Sequence, residues 1–304
     1  MSVKTESRLK QAAMQVGAGG SAGFIEVCIM HPLDLLKTRM QLQSSKSSLK
    51  TTDPHYYNGI VDCMKKMYKH EGLSSFWKGI LPPILAETPK RAVKFVTFEQ
   101  YKRFFMFGSP TATPLTFSLA GLGAGITEGI LVNPFEVVKV TLQSNKQLAA
   151  QMPSTWAVTS KIVRESGLGL NGLNKGLSAT VARNGIFNMV YFGFYHSVKG
   201  YIPESKDKVM EFGRKVAIGF TSGVLGSCVN IPFDVAKSRI QGPQPVPGQV
   251  KYKSTVGSIV MVYKEEGFRA LYKGLLPKVL RLGPGGAIML IVYDYVYEFL
   301  EQKF

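Results

Sequence analysis

Three segments of this 304-residue chain carry the same motif, spaced at about a third of its length. They read HPLDLLKTRMQ at 31–41, NPFEVVKVTLQ at 133–143 and IPFDVAKSRIQ at 231–241. Each has a proline, an acidic residue two positions later, a lysine five positions later and a glutamine nine positions later. Repetition at a fixed period indicates that one structural unit is used several times. The sequence therefore predicts three repeats, at 1–108, 109–206 and 207–304.

A second signature follows each motif. It reads EGLSSFWKG at 71–79 and EGFRALYKG at 266–274, with a degenerate copy, ESGLGLNGLNKG, at 165–176. In each repeat one apolar segment precedes the proline motif and another follows this signature, and such segments are long enough to cross a bilayer as helices. Stretches between them, such as VDCMKKMYKHEG at 61–72, have helical periodicity and a charged face. We therefore predict an all-α membrane protein with six tilted transmembrane helices in three pseudo-threefold repeats, each with a short amphipathic helix on the membrane surface.

Small residues recur in register in the first apolar segment of each repeat. Glycines four residues apart let helices approach closely in a bilayer, where no hydrophobic force drives their association. We expect this close approach at Gly19 and Gly23, at Gly121 and Gly125, and at Gly219 and Gly223.

The chain is basic, with 37 Lys and Arg against 20 Asp and Glu. Because these cations are scattered through apolar stretches, the pattern disfavours nucleic acid and favours anionic solutes or lipid headgroups. The three cysteines, Cys28, Cys63 and Cys228, have no metal-like spacing, so we expect neither a disulfide framework nor a metal site. No nucleophile with its base or phosphate-cradling loop is recognisable, which argues against an enzyme.

The motif prolines are expected to bend the helices that carry them. A proline inside a helix removes one backbone hydrogen bond and crowds the preceding turn, which kinks the helix. The sequence therefore predicts a kink at each of Pro32, Pro134 and Pro232. Because the three prolines hold equivalent places in the repeats, the three bends would lie at one depth and could converge.

The charges of the proline motif lie on one face of a helix, because they are three and four residues apart. The alternative for any single copy is an ion pair within one helix. Three copies around a threefold axis favour a ring of pairs between repeats, joining Asp34, Glu136 and Asp234 to Lys37, Lys139 and Lys237.

The tripled proline motif, followed by the acid-Gly and aromatic-Lys-Gly signature, resembles that of the mitochondrial carrier family over essentially the whole chain. The resemblance implies a multi-pass antiporter of the inner mitochondrial membrane, monomeric and without a cofactor, that works by alternating access. It implies that the amphipathic helices lie on the matrix side, that the charge ring is a matrix gate, and that Gln41, Gln143 and Gln241 brace it. It also implies cardiolipin binding at Trp77, Lys78, Gly79, Lys175, Gly176, Tyr272, Lys273 and Gly274. Thr141 departs from the pattern, since the other repeats have Arg39 and Arg239 there.

In this family a cytoplasmic gate is formed by aromatic-acid-x-x-cation elements, which here include Glu99, Lys102, His196, Lys199, Asp294 and Tyr297. Specificity residues lie about twelve positions before the aromatic residue, which leads to Ala86, Arg183 and Arg281. An unpaired arginine lining a membrane cavity is a functional-site candidate, and guanidinium matches carboxylate. We therefore expect two unpaired arginines to bind an anionic substrate.

Further candidates surround those arginines. Asn184 offers a neutral amide suited to a carbonyl group. Lys90 and Lys94 share a helix face with Ala86 and are expected to bind a second carboxylate, with Glu87 beside them, whereas Arg91 is expected to reach the membrane interface. Glu26 and Glu128 lie at one level and are expected to neutralise cavity cations, the alternative being proton transfer with the substrate.

This constellation resembles the family members that carry keto acids. It implies exchange of 2-oxodicarboxylates such as 2-oxoadipate and 2-oxoglutarate. A carrier of malate, citrate or another carboxylate is the alternative, since the same cations suit those acids. A non-transporting membrane scaffold is disfavoured, because a scaffold needs neither a charge ring nor unpaired arginines.

Overall fold

The computed structural model describes residues 2–43, 56–203, 207–244 and 249–303. Within these ranges the chain forms six long and three short α-helices. The long helices are α1 (Ser2–Leu42), α3 (Leu81–Phe105), α4 (Pro114–Ser144), α6 (Leu177–Tyr201), α7 (Lys208–Gln241) and α9 (Leu275–Lys303). The short helices are α2 (Ile60–Glu71), α5 (Thr155–Ser166) and α8 (Thr255–Glu266), and 3-10 turns cover Leu73–Trp77, Ala149–Gln151 and Phe268–Tyr272. Each repeat thus contributes two long helices with a short one between them.

Three stretches of the described chain are long and apolar enough to cross a membrane by length and composition: Pro114–Ser144, Val209–Gln241 and Phe268–Lys303. They correspond to α4, α7 and the segment that contains α9. Helices α1, α3 and α6 have at least 25 residues each, which exceeds the length of about 20 that a bilayer requires. These three helices are therefore long enough to span a bilayer, although they are less apolar than the other three.

The motif prolines lie inside the first long helix of each repeat. Pro32 is within α1, Pro134 within α4 and Pro232 within α7, and each helix continues past its proline for at least nine residues. The predicted intrahelical position of all three is thus confirmed. A proline at such a place leaves a carbonyl of the preceding turn without its usual backbone donor. Ion pairs join α1, α4 and α7 shortly after the prolines, as expected if the helices bend toward one another there. The kink angle at each proline stays a prediction.

Glycines end each short helix and precede each second long helix. Gly72, Gly167 and Gly267 have φ angles of +81°, +73° and +85° at the ends of α2, α5 and α8. Gly79, Gly176 and Gly274, before α3, α6 and α9, have φ angles of +68°, +69° and +85°. Backbone in this left-handed region is strained for residues with a Cβ atom. The glycines of the second signature therefore allow the chain to turn twice between the short and long helices.

The close approach of helices at paired glycines occurs in the second repeat only. A Cβ atom on Gly121 would lie 2.6 Å from the carbonyl oxygen of Asn188, and one on Gly125 would lie still closer to that of Asn184. The prediction is wrong for α1 and α7. Gly23 faces the side chain of Glu87 and Gly223 that of Leu282, so larger side chains of α3 and α9 occupy the space. In the second repeat, the α4 glycines place the α6 backbone at Asn184 and Asn188.

The apolar core of each repeat lies where its first long helix meets its short helix. These clusters tie the short helices to the ends of α1, α4 and α7. They comprise Leu35, Leu36, Tyr57, Cys63, Met67 and Phe76 in the first repeat, Val138, Leu142, Val158 and Leu173 in the second, and Val235, Ile240, Tyr252, Val262, Ala270 and Leu271 with Ala179 in the third.

Candidate functional site

The motif charges of α1, α4 and α7 form three ion pairs between repeats. Lys37 Nζ lies 2.8 Å from Asp234 Oδ2, and Lys139 Nζ lies 2.9 Å from Asp34 Oδ2. The third pair joins Lys237 to Glu136. Each lysine therefore reaches the acid of a neighbouring repeat, and together the pairs close a ring across the helix bundle.

The ring lies directly after the motif prolines. Each ring acid follows its proline by two residues, as Asp34 follows Pro32, Glu136 follows Pro134 and Asp234 follows Pro232. The prolines therefore mark the level at which α1, α4 and α7 come together through their charges.

The motif glutamines also connect the repeats, one turn beyond the ring. Gln41 Oε1 accepts a hydrogen bond of 2.7 Å from Ser238 of the third repeat, and Gln143 Oε1 accepts one of 2.7 Å from Thr38 of the first. Gln241 Nε2 donates to Asn133 Oδ1 at 3.0 Å. These bonds follow the same cyclic order as the ion pairs. Among the described residues, they involve polar neighbours and not the charged atoms of the ring.

A central cavity of about 250 Å³ lies on the ring. Its lining includes all six residues predicted to bind substrate, together with Glu128 and the ring charges. The predicted six come from α3, α6 and α9: Glu87, Lys90, Lys94, Arg183, Asn184 and Arg281. The family resemblance, together with spacing along the helices, therefore identified side chains that face one cavity.

The two arginines are not unpaired as predicted. Arg281 contacts Glu26 at 2.8 Å and Asp34 at 2.5 Å, whereas Arg183 lies 3.4 Å from Glu136 and 3.7 Å from Asp234. Both contact acids of the charge ring, because they lie directly above it. A paired arginine costs less to bury, so carboxylates of the protein hold these cations at the cavity.

Two donors of α6 beside the cavity lack a partner among the described residues. Arg183 Nε and Asn184 Nδ2 are buried and make no hydrogen bond. A buried donor without a partner costs free energy, and a ligand that accepts from it recovers that cost. The geometry thus provides one charged and one neutral donor on consecutive residues of α6.

The charged side chains of α3 contact their own helix, α1 and α6. Arg91 Nε lies 2.5 Å from Glu87 Oε1, and its Nη2 atom lies 4.0 Å from Glu26. The expectation that Arg91 reaches the membrane interface is therefore wrong, because two carboxylates draw it inward. Lys90 lies 3.7 Å from Glu87, and Lys94 Nζ lies 5.7 Å from the centroid of the Phe192 ring. Glu26 neutralises Arg281, as expected of it.

Two polar residues of the third repeat were missed by sequence reasoning. Lys278 Nζ lies 2.7 Å from Asp234 Oδ2 and faces the cavity. Asn230 also lines the cavity, and with its amide oxygen toward Lys278 it accepts a bond of 2.9 Å. The corresponding residues of the other repeats are Pro83 and Thr180 for Lys278, and Met30 and Val132 for Asn230. Residues that occur in one repeat only do not appear as a recurring pattern. A lysine within the largely apolar segment LLPKVLRLG nevertheless indicates a candidate functional residue.

The predicted cytoplasmic gate residues form no ion pair between repeats in the described ranges. Lys102 pairs with Glu99 of its own helix at 2.6 Å. The His196 ring stacks on Phe117 of the same repeat, with centroids 3.5 Å apart, and Tyr297 stacks on Tyr293 at 5.9 Å. The structure therefore combines a closed ring at one end of the cavity with unconnected charges at the other.

Buried clamps join neighbouring repeats at the ring end. In the first repeat, Glu71 accepts from Arg39 at 2.9 Å and pairs with Lys78, and Arg39 also donates to the carbonyl oxygen of Asn145 beyond α4. Glu266, Arg239 and Lys273 form the equivalent clamp in the third repeat, where Arg239 donates to the carbonyl oxygen of Gln41.

The second repeat lacks this clamp. Thr141 replaces the arginine and Ser166 replaces the acid. Lys175 remains, and burial lowers the pKa of its ammonium group. No carboxylate within the described residues pairs with it. The departure at Thr141 is therefore matched by a second departure, and the interface between the second and third repeats has no buried ion pair of this kind.

The lysines predicted at the cardiolipin sites are engaged internally in two repeats. Lys78 is 5% exposed and pairs with Glu71, and burial lowers its pKa. Lys273 donates to the carbonyl oxygen of Gln43 at 2.8 Å. Trp77 Nε1 donates to the carbonyl oxygen of Cys28 at 2.9 Å. The glycine turns at Gly79, Gly176 and Gly274 lie at the starts of α3, α6 and α9, and they are the other part of each predicted cardiolipin site.

Known proteins with similar sequences follow the same threefold pattern. The family model described as "Mitochondrial carrier protein" matches residues 9–109, 111–206 and 208–304. The mitochondrial 2-oxodicarboxylate carriers of Mus musculus and Homo sapiens are 58% and 57% identical to the chain, each over all of both proteins. The mitochondrial citrate transporter D of Aspergillus niger is 42% identical over 94% of this chain and 93% of its own. This chain belongs to the mitochondrial carrier family, whose members are multi-pass transporters of the inner mitochondrial membrane.

Proposed function

We propose that the protein is an antiporter that exchanges 2-oxodicarboxylates, such as 2-oxoadipate and 2-oxoglutarate, by alternating access. Its six transmembrane helices are α1, α3, α4, α6, α7 and α9, with α2, α5 and α8 on the matrix side. The observation that carries the proposal is the meeting of Arg183, Asn184 and Arg281 in one cavity, with donors of the first two unpartnered. The full-length similarity to carriers named for 2-oxodicarboxylates supports the same substrate class.

Each part of a 2-oxodicarboxylate has a partner in this proposal. Arg183 and Arg281 bind one carboxylate, because guanidinium groups match carboxylates in geometry and charge. The Asn184 amide donates to the 2-oxo oxygen. Lys90 and Lys94, on the opposite wall, attract the second carboxylate, with Glu87 holding Lys90 and Arg91 in place. The substrate thereby replaces the protein carboxylates as the partner of these cations.

The ion-pair ring acts as the matrix gate in this mechanism. The ring is closed, and the predicted cytoplasmic gate residues form no ion pair between repeats within the described ranges, which supports a resting state whose cavity opens to the cytoplasmic side. Gln41, Gln143 and Gln241 support the gate by joining the same pairs of repeats. We further propose that the carrier acts as a monomer, and that cardiolipin phosphates bind the backbone amides of the Lys-Gly turns at the starts of α3, α6 and α9.

Citrate is the second candidate substrate, because the Aspergillus niger relative is named as a citrate transporter. The test is counter-exchange in proteoliposomes loaded with unlabelled 2-oxoglutarate. Uptake of labelled 2-oxoadipate and 2-oxoglutarate, with little uptake of citrate, malate or ATP, is the expected result. Faster uptake of citrate than of either oxo acid would refute the assignment and favour the second candidate.

A further inference from the structure

The floor of the cavity carries an excess of two positive charges. We define the cavity floor as the three ring acids, every cation that contacts them and the carboxylate shared by one of those cations. Its cations are Lys37, Lys139, Arg183, Lys237, Lys278 and Arg281, and its carboxylates are Glu26, Asp34, Glu136 and Asp234. Arg91 touches Glu26 at 4.0 Å, but its nearer partner is Glu87 at 2.5 Å, outside the floor. Six cations thus face four carboxylates.

Lys278 is not required to neutralise its own partner. Asp234 Oδ2, to which Lys278 donates at 2.7 Å, also accepts from Lys37 at 2.8 Å. The other oxygen, Oδ1, lies 3.7 Å from Arg183. Asp34 and Glu136 each contact two cations, whereas Asp234 contacts three. Lys278 is therefore a surplus cation at a carboxylate that is already compensated.

The surplus cation occurs in one repeat only. Pro83 and Thr180 occupy its place in the other two repeats, so it is not part of the threefold gate. Asn230 lies at a position where the other repeats have apolar residues, and it supports Lys278 from α7. Two coordinated departures from symmetry place and hold a charge that the ring does not use. A dianionic ligand would use it.

We propose that Lys278 determines selectivity for dianions, by supplying the second of the two excess positive charges of the cavity floor. The inference rests on the proposed function and deepens it. When a substrate with two carboxylates enters, Lys278 turns with Arg183 from Asp234 to the anion, and Asp234 keeps Lys37 as its partner. Without Lys278 the floor has an excess of one charge, which suits a monocarboxylate.

The test compares a dianion with a monoanion of equal chain length. Initial uptake of 2-oxoadipate and of 2-oxohexanoate is measured in proteoliposomes for the wild type and for Lys278→Gln. The ratio of dianion to monoanion uptake is expected to fall by about tenfold or more, the effect of one charge contact in a partly hydrated site. Lys278→Arg keeps the charge and should keep the ratio. The control is Lys161→Gln, which alters an exposed lysine of α5 and should change neither rate.

A charge-compensated variant separates the charge count from general damage. Lys278→Gln combined with Glu26→Gln leaves five cations and three carboxylates, which restores the excess of two. This double variant should recover most of the wild-type ratio, and thermal unfolding of each purified protein checks that it is folded. An unchanged ratio in folded Lys278→Gln, or a double variant no better than the single one, would overturn the role of Lys278 alone. A wild type that takes up neither acid would overturn the proposed function as well.

Discussion

The buried clamp of the first repeat predicts that Glu71→Gln lowers the stability of the protein strongly, and far more than a matched substitution in the second repeat. The substitution keeps the shape of the side chain but removes the carboxylate that pairs with Arg39 and Lys78, which are 3% and 5% exposed. Removing one partner of a buried ion pair costs about 3–5 kcal/mol, because the remaining charge is left uncompensated. At about 2 °C per kcal/mol for a large chain, the melting temperature should fall by about 6–10 °C.

The second repeat supplies the matched control. Ser166 occupies the place of Glu71 at the end of α5, opposite Thr141 in place of Arg39. Ser166→Gln introduces the same side chain where no clamp exists. It should therefore change the melting temperature far less than Glu71→Gln does.

Cys63 offers a direct readout of this unfolding. It is fully buried in α2, and burial raises its pKa to about 12, so in the folded protein it is an inaccessible thiol. Because the thiolate is the reactive form, a fluorogenic maleimide labels Cys63 only when α2 separates from the core. The assay heats purified protein with the reagent in a background that lacks Cys28 and Cys228. Equal shifts for Glu71→Gln and Ser166→Gln would refute the clamp as a source of stability.

Three further predictions concern the cavity and its walls. Asn184→Asp should slow 2-oxoglutarate exchange severalfold, because it places a negative charge beside the bound anion, and an unchanged rate would remove Asn184 from the site. Gly125→Ala should impair both folding yield and exchange, since its Cβ would overlap the Asn184 carbonyl. Gly19→Ala, whose Cβ meets nothing within 4 Å, should impair neither. Equal effects of the two substitutions would contradict the helix packing. His196→Asp with Tyr297→Lys should strengthen the cytoplasmic gate and slow the labelling, from the cytoplasmic side, of a cysteine placed in the cavity of a variant without native cysteines; labelling as fast as in the parent would refute this.

The threefold repeat made the ring residues predictable. Three copies of one helix face can converge around an axis, so the recurring acid and lysine indicated the depth of Asp34, Glu136 and Asp234 and that each pairs with a lysine of a neighbouring repeat. The cavity-facing position of Arg183 and Arg281 followed from the family resemblance, in which specificity residues lie about twelve positions before an aromatic residue. The position of a residue in the repeat does not predict which side chain it pairs with. Position along a helix fixes the depth of a side chain, but its partner depends on how neighbouring helices are packed, and here the ring acids lie within reach of both arginines.

Departures from the repeat were the hardest features to predict. Lys278 has no charged counterpart and Asn230 no polar counterpart in the other repeats, so no recurrence drew attention to them. Arg91 was assigned to the membrane interface by its place on the helical wheel, yet Glu87 on its own helix and Glu26 on α1 draw it inward. The joint absence of arginine at Thr141 and of acid at Ser166 was visible in the sequence. Its meaning required the structure, which shows that the corresponding residues pair with each other in the other two repeats.

The measurement that tests the account most directly is the exchange of labelled 2-oxoglutarate by Arg183→Ala and Arg281→Ala in loaded proteoliposomes. Each substitution removes a cation that offsets the desolvation of a substrate carboxylate, so exchange should fall to the background of empty liposomes while both proteins remain folded. Lys161→Ala, on the exposed face of α5, should exchange at the wild-type rate. Near-normal exchange by either arginine variant would contradict the assignment of the cavity as the substrate site.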